Sequence, residues 1–129
     1  MLEINNMSVA HLACIGDAIY ELKIREFLVL HRKLKIMDIN TEKIQYVSAK
    51  NQAQILESLM KRQILTDEEM YTVLRARNYK TSSKPKNVSI IIYKKATALE
   101  ALFGMLYLCR KLDRINYLIK EIVGVGYDS

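Results

Sequence analysis

Two acidic residues lie in stretches of sequence that are otherwise apolar. Asp17 lies in the string LACIGDAIY, and Glu100 is the only charged residue within residues 96–109. A lone ionised carboxylate in such surroundings is costly unless it is paired, protonated or bound to a metal. We therefore expect both acids to be buried and each to have a specific partner. Taken singly, each acid could instead pair with an arginine or cap a neighbouring helix.

Two glycines accompany these acids. Gly16 directly precedes Asp17, and Gly104 lies four residues after Glu100. Because glycine inside a helix costs about 1 kcal/mol relative to alanine, each glycine predicts a close approach of another backbone. Tight packing of the two helices would bring Asp17 and Glu100 together. Oxygen ligands without nearby imidazole or thiolate favour Mg²⁺ or Mn²⁺, which can polarise a phosphoryl oxygen and activate a water.

Positive charge is concentrated in one segment. Residues 70–99 contain seven Lys and Arg and no acid, while the whole chain has 20 Lys+Arg, 14 Asp+Glu and a net charge of +6. The rest of the chain is therefore near neutral, which favours a phosphate-binding surface over a merely solvated loop, the alternative interpretation. Hydroxyls at Thr81, Ser82 and Ser83 add donors for phosphate. The candidate residues for binding the phosphates of a nucleic acid are Arg75, Arg77, Asn78, Lys80, Lys84 and Lys86.

Long helices must position these groups, because one proline and four glycines are too few for a fold rich in strands and turns. We predict an all-α domain spanning residues 1–129, with five to seven helices. The first helix begins after the N-cap Ser8, ends near His31 and carries an apolar stripe of Leu12, Ile15, Ile19 and Leu22. The second helix starts near Asp38 or Asn40 and has a predicted break at residues 49–51. The third runs from the Thr66 capping box to about Asn78, and the fourth from about Ile90 to Arg110. A short fifth helix ends near Gly124 and Gly126.

Composition excludes several classes of protein. Half the residues are hydrophobic, which excludes a disordered chain. Two cysteines, Cys14 and Cys109, are too few for a disulfide framework or structural zinc, and we interpret them as buried thiols. The longest nearly apolar stretch, ATALEALFGMLYLC, is too short to span a bilayer, and no signal-like N-terminus is present. A cytoplasmic location is therefore expected, with no membrane partner.

Three strings, in order, resemble the ribonuclease III family. These are LACIGDAIYE, RARNYKTSSKPKN and YKKATALEALFGMLYL, and they most resemble the short branch, Mini-ribonuclease III, which lacks a double-stranded-RNA-binding domain. The resemblance implies a Mg²⁺-dependent homodimeric endoribonuclease that cuts double-stranded RNA, with Mn²⁺ able to substitute. It implies that Asp17 and Glu100 are the catalytic, metal-binding carboxylates. It also implies maturation of 23S ribosomal RNA ends, and leaves open whether a ribosomal protein assists.

The chain departs from the larger family at two positions. Longer ribonuclease III enzymes carry acids where this chain has Ala10 and Thr97. We therefore expect one Mg²⁺ per protomer, with the Thr97 hydroxyl bonding a metal water. Glu21, one turn beyond Asp17, could support the site or simply pair with Lys23 or Arg25. Two other functions remain open: a non-catalytic helical dimer that binds ribosomal RNA or a ribosome component and, less favoured, a small DNA-binding regulator.

Overall fold

The computed structural model describes residues 4–80 and 84–124, and within these residues it contains six α-helices and no strand. This confirms the all-α prediction. The predicted donors Thr81, Ser82 and Ser83, and the helix end at Gly126, lie outside the described residues. The helices are α1 (Val9–Glu26), α2 (Ile36–Val47), α3 (Ala49–Lys61), α4 (Asp67–Arg77), α5 (Ile90–Leu108) and α6 (Leu112–Val123). A 3₁₀ turn (Ile4–Asn6) precedes α1, and a π-helical turn (Phe27–His31) extends it.

Helix α5 is the centre of the fold. Its residues 101–106 are all buried, and α1, α3 and α4 pack around it. The string ATALEALFGMLYL is apolar on nearly all sides of the helix. Such a helix is stable only where other elements cover it, as the neighbouring helices do here. Glu100 therefore lies on the most enclosed helix of the molecule. The Tyr20 and Phe103 rings meet edge to face, with centroids 5.2 Å apart, and join α1 to α5.

The helix starts follow the sequence closely. The side chains of Ser8, Ser48, Thr66 and Ser89 each accept a hydrogen bond from a backbone N–H one turn ahead. At Thr66 the full capping box is present, with the Glu69 carboxylate accepting from the Thr66 N–H at 2.9 Å. The predicted break in the second helix is confirmed at Ser48, which ends α2 and caps α3. The start of α2 lies at Ile36, earlier than predicted, since its N-cap Lys35 offers no capping side chain to mark it.

The apolar stripe predicted for α1 is partly wrong. The buried stripe is Leu12, Gly16, Tyr20 and Ile24, of which the first three meet α5, whereas Ile15 and Leu22 are 37% and 51% exposed. Both stripes have helical spacing, so periodicity alone does not distinguish them. The small residue Gly16 selects the first stripe, because only there can α1 approach α5 closely. Of the predicted stripe, Leu12 is buried and Ile19 packs partly against the core, so only Ile15 and Leu22 are left as exposed apolar residues.

A buried ion pair ties α6 to the start of α4. Glu69 is 3% exposed, and the Arg114 guanidinium donates to both of its carboxylate oxygens, at 2.7 and 2.9 Å. The same guanidinium donates to the Ile64 carbonyl at 2.7 Å. Although burial opposes it, this pairing holds the pKa of Glu69 below its ordinary value. Among the described residues, no helix has the length and hydropathy needed to cross a membrane.

Candidate active site

Helices α1 and α5 cross where Gly16 of one helix and Gly104 of the other lie against the opposite backbone. A Cβ atom added to Gly16 would overlap the backbone carbonyl oxygen of Glu100, and one added to Gly104 would overlap that of Leu12. Neither backbone atom can move aside as a flexible side chain could. The close approach predicted from Gly16 and Gly104 is therefore confirmed, and it places Asp17 and Glu100 side by side.

The two carboxyl groups interact directly. Burial, the charge of Asp17 and a hydrogen bond with it, in that order of importance, together raise the pKa of Glu100 to about 8, while a hydrogen bond from Gln52 opposes the shift. The groups that act on Glu100 are thus a second carboxyl and an amide, not an arginine. Two acids held together in this way repel one another when both are ionised, and a divalent cation would relieve that repulsion.

The expectation that Asp17 is buried is wrong. Asp17 is exposed, whereas Glu100 is largely buried. The neighbours Ile15 and Ala18, which suggested a core position, are exposed as well, because α1 buries only the stripe that faces α5. Asp17 therefore lies at the edge of the helix contact, where its carboxylate can reach solvent and a ligand.

A pocket of about 380 Å³ opens beside this pair. It brings together the four positions at which the larger family carries acids, since Ala10 and Thr97 line the same pocket as Asp17 and Glu100. The convergence is preserved although two of the four acids are absent. The full lining is Ala10, Ala13, Cys14, Asp17, Tyr79, Tyr93, Thr97 and Glu100.

The donor set of the pocket fits a hard divalent cation. Within the part of the chain that the structure describes, no group of three or more His, Cys, Asp and Glu side chains forms a complete metal cage. Mg²⁺ is commonly bound in the way that remains, through one or two carboxylates, waters and the phosphates of its substrate. The Asp17–Glu100 pair next to an open pocket meets that description, and Thr97 adds a hydroxyl.

Glu21 has partners of its own. Its carboxylate accepts from Arg25 at 2.6 and 3.0 Å and lies 3.4 Å from the Lys43 ammonium. Although burial opposes it, these two cations hold the pKa of Glu21 below its ordinary value. Of the two roles predicted for Glu21, the ion pair with Arg25 is present, while Lys23 pairs with Glu26 instead. Glu21 and Asp17 both line a second depression, of about 330 Å³.

The basic segment, residues 70–99, passes the lip of the carboxylate pocket at Tyr79. Tyr79 is a wall of that pocket, and it lies between Asn78, the exposed C-cap of α4, and Lys80, which is also exposed. Lys84 and Lys86 are exposed in the same loop, and Arg75 and Arg77 are half-buried in the last turn of α4. The structure therefore joins two features that the sequence offered separately, a pair of acids and a basic surface.

One acid does lie against this segment in space. Glu57 of α3 contacts the Lys95 ammonium at 2.6 Å, and Lys95 followed by Arg77 holds the pKa of Glu57 below its ordinary value. Residues 70–99 include no acidic residue, but the fold places the carboxylate of Glu57 against Lys95.

Sequence reasoning missed three residues of the site. Gln52, Tyr79 and Tyr93 were not singled out, although Gln52 contacts Glu100 and the two tyrosines line the pocket. A signal existed for Gln52, because it shares a helical stripe with the buried Leu56 and Leu59. Cys14, expected to be a buried thiol, is exposed and lines the pocket as well, and Cys109 is only partly buried.

Comparisons with known proteins agree on one family. The model of the Ribonuclease III domain matches residues 10–111. The chain is 40% identical to Mini-ribonuclease 3 of Staphylococcus aureus over 88% of its own length and 85% of that protein. It is 34% identical to Mini-ribonuclease 3 of Streptococcus pneumoniae, covering 92% and 93% of the two chains. The crystal structure of protein FN1578 from Fusobacterium nucleatum superposes with a TM-score of 0.82 at 32% identity, over 95% of this chain and 98% of that one.

Proposed function

The chain belongs to the ribonuclease III family and is a ribonuclease, and we propose that it is a Mg²⁺-dependent endonuclease of double-stranded RNA. The observation that carries the proposal is the pocket that Asp17, Thr97 and Glu100 line together with Tyr79, which lies next to Lys80 in the basic segment. The proposed substrate is the duplex at the ends of precursor 23S ribosomal RNA, in the bacterial cytoplasm. The resemblance to the short branch of the family supports that substrate.

Asp17 and Glu100 are the proposed metal ligands and catalytic residues. When bound, a divalent cation supplies Lewis-acid polarisation of the scissile phosphate and activation of the attacking water. The chain's own contribution is to hold the two carboxylates at fixed positions on α1 and α5. Rigid presentation of this kind comes from the glycine crossing, since Gly16 and Gly104 set how closely the helices approach.

Thr97 has a supporting role in this proposal. Its hydroxyl lies on α5, about one turn before Glu100, and lines the same pocket. A hydroxyl both donates and accepts hydrogen bonds, so it can orient a water or a phosphate oxygen without adding negative charge. With threonine and alanine at the other two positions, the pocket holds charge for one divalent ion per protomer.

The basic segment is the proposed binding surface for RNA. Exposed lysines at 80, 84 and 86, together with Arg75, Arg77 and Asn78, supply donors for backbone phosphates beside the pocket. Such contacts read the shape of a duplex and not its sequence, and they make binding strongly dependent on salt. Replacing Lys80, Lys84 and Lys86 by alanine should weaken RNA binding and flatten its salt dependence. Alanines at Lys33, Lys35 and Lys61, exposed lysines outside residues 70–99, give a control with the same loss of charge.

The exposed face of α1 is the proposed interface of a homodimer. Ile15, Ala18 and Leu22 are spaced three and four residues apart and are all exposed. A continuous apolar face of this kind fits a second copy of the same helix across a two-fold axis. Leu22→Lys should give a monomer in light scattering, whereas Leu74→Lys, a similarly exposed leucine on α4, should not. A dimer that persists in Leu22→Lys would contradict this interface.

Cleavage of a labelled RNA duplex tests the catalytic proposal. We expect Mg²⁺-dependent cutting that EDTA abolishes and that Asp17→Asn or Glu100→Gln removes, while circular dichroism shows an unchanged fold. The control is Asp113→Asn, which changes an exposed acid at the start of α6. Turnover at the wild-type rate in either pocket variant would refute the mechanism. RNA binding without any cleavage by the wild-type protein would favour the non-catalytic RNA-binding dimer.

A further inference from the structure

Gln52 is a buried amide on α3 that faces the central helix. It is 3% exposed, and it shares its stripe with Leu56 and Leu59, which are fully buried. A polar side chain is seldom held in such a position unless its hydrogen bonds are made. The partner of Gln52 is the carboxyl group of Glu100. A third helix therefore reaches the carboxylate pair, in addition to the two helices that carry it.

Gln52 differs in charge from the side chains that pair with the other acids described above. Glu21 and Glu69 are held by arginine guanidinium groups, which neutralise them. A glutamine amide offers an N–H donor without a charge, so it can fix an ionised carboxylate and leave its negative charge available. An uncharged partner therefore leaves the carboxylate better able to bind a cation than an arginine would.

Glu100 needs such a restraint to serve as a ligand. Its side chain has three rotatable bonds and projects towards a pocket of about 380 Å³, so packing alone leaves the carboxylate several orientations. A hydrogen bond from a buried neighbour on a different helix removes that freedom before the metal arrives. Ligating carboxylates in proteins are held in this way by outer hydrogen bonds.

We propose that Gln52 is a positioning residue of the metal site, whose side-chain amide orients the Glu100 carboxylate towards Asp17 so that both bind one divalent cation. The inference rests on the proposed function, and it assigns a role to α3. Gln52 touches neither the cation nor the RNA in this account. It acts through Glu100.

The test is a titration of the RNA-free protein with Mn²⁺, in which the electron paramagnetic resonance signal of the free ion measures how much Mn²⁺ is bound. Gln52→Met keeps the length and volume of the side chain and removes the donor. We expect a loss of Mn²⁺ affinity of roughly 10- to 100-fold, a lower kcat, and an unchanged dissociation constant for RNA in EDTA. Gln54→Met, an exposed glutamine on the same helix, is the matched control and should leave all three unchanged.

A purely structural role for Gln52 predicts a different pattern, in which the melting temperature falls and Mn²⁺ affinity does not. Gln52→Asn provides a second variant, since it keeps the amide but shortens its reach by one methylene, and the same loss of Mn²⁺ affinity is expected. If either Gln52→Met or Gln52→Asn is folded and binds Mn²⁺ with the affinity of the wild-type protein, the inference is overturned. Glu100→Gln, measured in the same way, distinguishes failure of the metal site from failure of the positioning role. If Glu100→Gln also binds Mn²⁺ as wild type does, the metal site itself is refuted, and if only the Gln52 variants do, the positioning role alone is refuted.

Discussion

The raised pKa of Glu100 makes the stability of the metal-free protein depend on pH. In the folded chain Glu100 titrates at about 8 instead of its ordinary 4.5, chiefly because it is buried and also because it lies beside Asp17. Between these two pH values the folded protein retains a proton that the unfolded chain has released. Folding stability from this group is therefore fully present below pH 4.5 and is lost as the pH rises through about 8.

The size of the effect follows from the shift. Each pKa unit corresponds to about 1.4 kcal/mol, so the rise from 4.5 to about 8 corresponds to at most about 5 kcal/mol. Relaxation of the pocket and entry of water will reduce this figure, and we expect a loss of about 2–4 kcal/mol. Because a small domain has only about 5–15 kcal/mol of stability in total, the loss should be plain in a denaturation curve.

Urea unfolding in EDTA measures this directly. We expect the free energy of unfolding of the wild-type protein to fall between pH 5 and pH 8, and Glu100→Gln to remove most of that fall. Subtracting the variant's curve cancels the contributions of all other titratable groups, which both proteins share. Adding Mg²⁺ at pH 8 should restore stability to wild type and not to Glu100→Gln. Parallel curves for the two proteins would refute the assignment of a coupled carboxyl pair.

Three further predictions concern the supports of the site. Gly16→Ala should destabilise the protein by more than about 3 kcal/mol in urea unfolding, because the new methyl group overlaps the backbone of Glu100; a smaller loss would mean that the helices separate easily. Glu69→Gln should cost about 2 kcal/mol, because it removes the charge that pairs with the partly buried Arg114; an unchanged melting temperature would contradict this. Glu57→Gln should tighten RNA binding and steepen its salt dependence, because it releases a cation of the basic segment; unchanged binding would place RNA elsewhere.

The parts of the fold that could be predicted from sequence are those with a local cause. Capping residues such as Ser8 and Thr66 fix helix starts through hydrogen bonds within one turn, so they can be identified from the sequence alone. Gly16 and Gly104 predicted the helix crossing, because a helical glycine costs stability that only a close contact repays. From that crossing the proximity of Asp17 and Glu100 followed.

The parts that could not be predicted depend on which face each helix buries. The apolar residues around Asp17 suggested burial, yet Ile15 and Leu22 are exposed, because an exposed apolar face and a core-facing stripe have the same helical spacing. The stripe that Gln52 shares with Leu56 and Leu59 indicates that it is buried, but only the structure shows that its partner there is Glu100. The contact of Glu57 with Lys95 joins residues 38 positions apart, and sequence gives no indication of it.

The proposed function depends on Asp17 and Glu100 binding one divalent cation together. Anomalous diffraction from a crystal soaked in Mn²⁺ tests it most directly, because the peak locates the ion without reference to activity. We expect one peak per protomer in the pocket, with an oxygen of Asp17 and an oxygen of Glu100 both at ligand distance, about 2.2 Å. A peak bound by only one of these carboxylates, or no peak in the pocket at all, would contradict it.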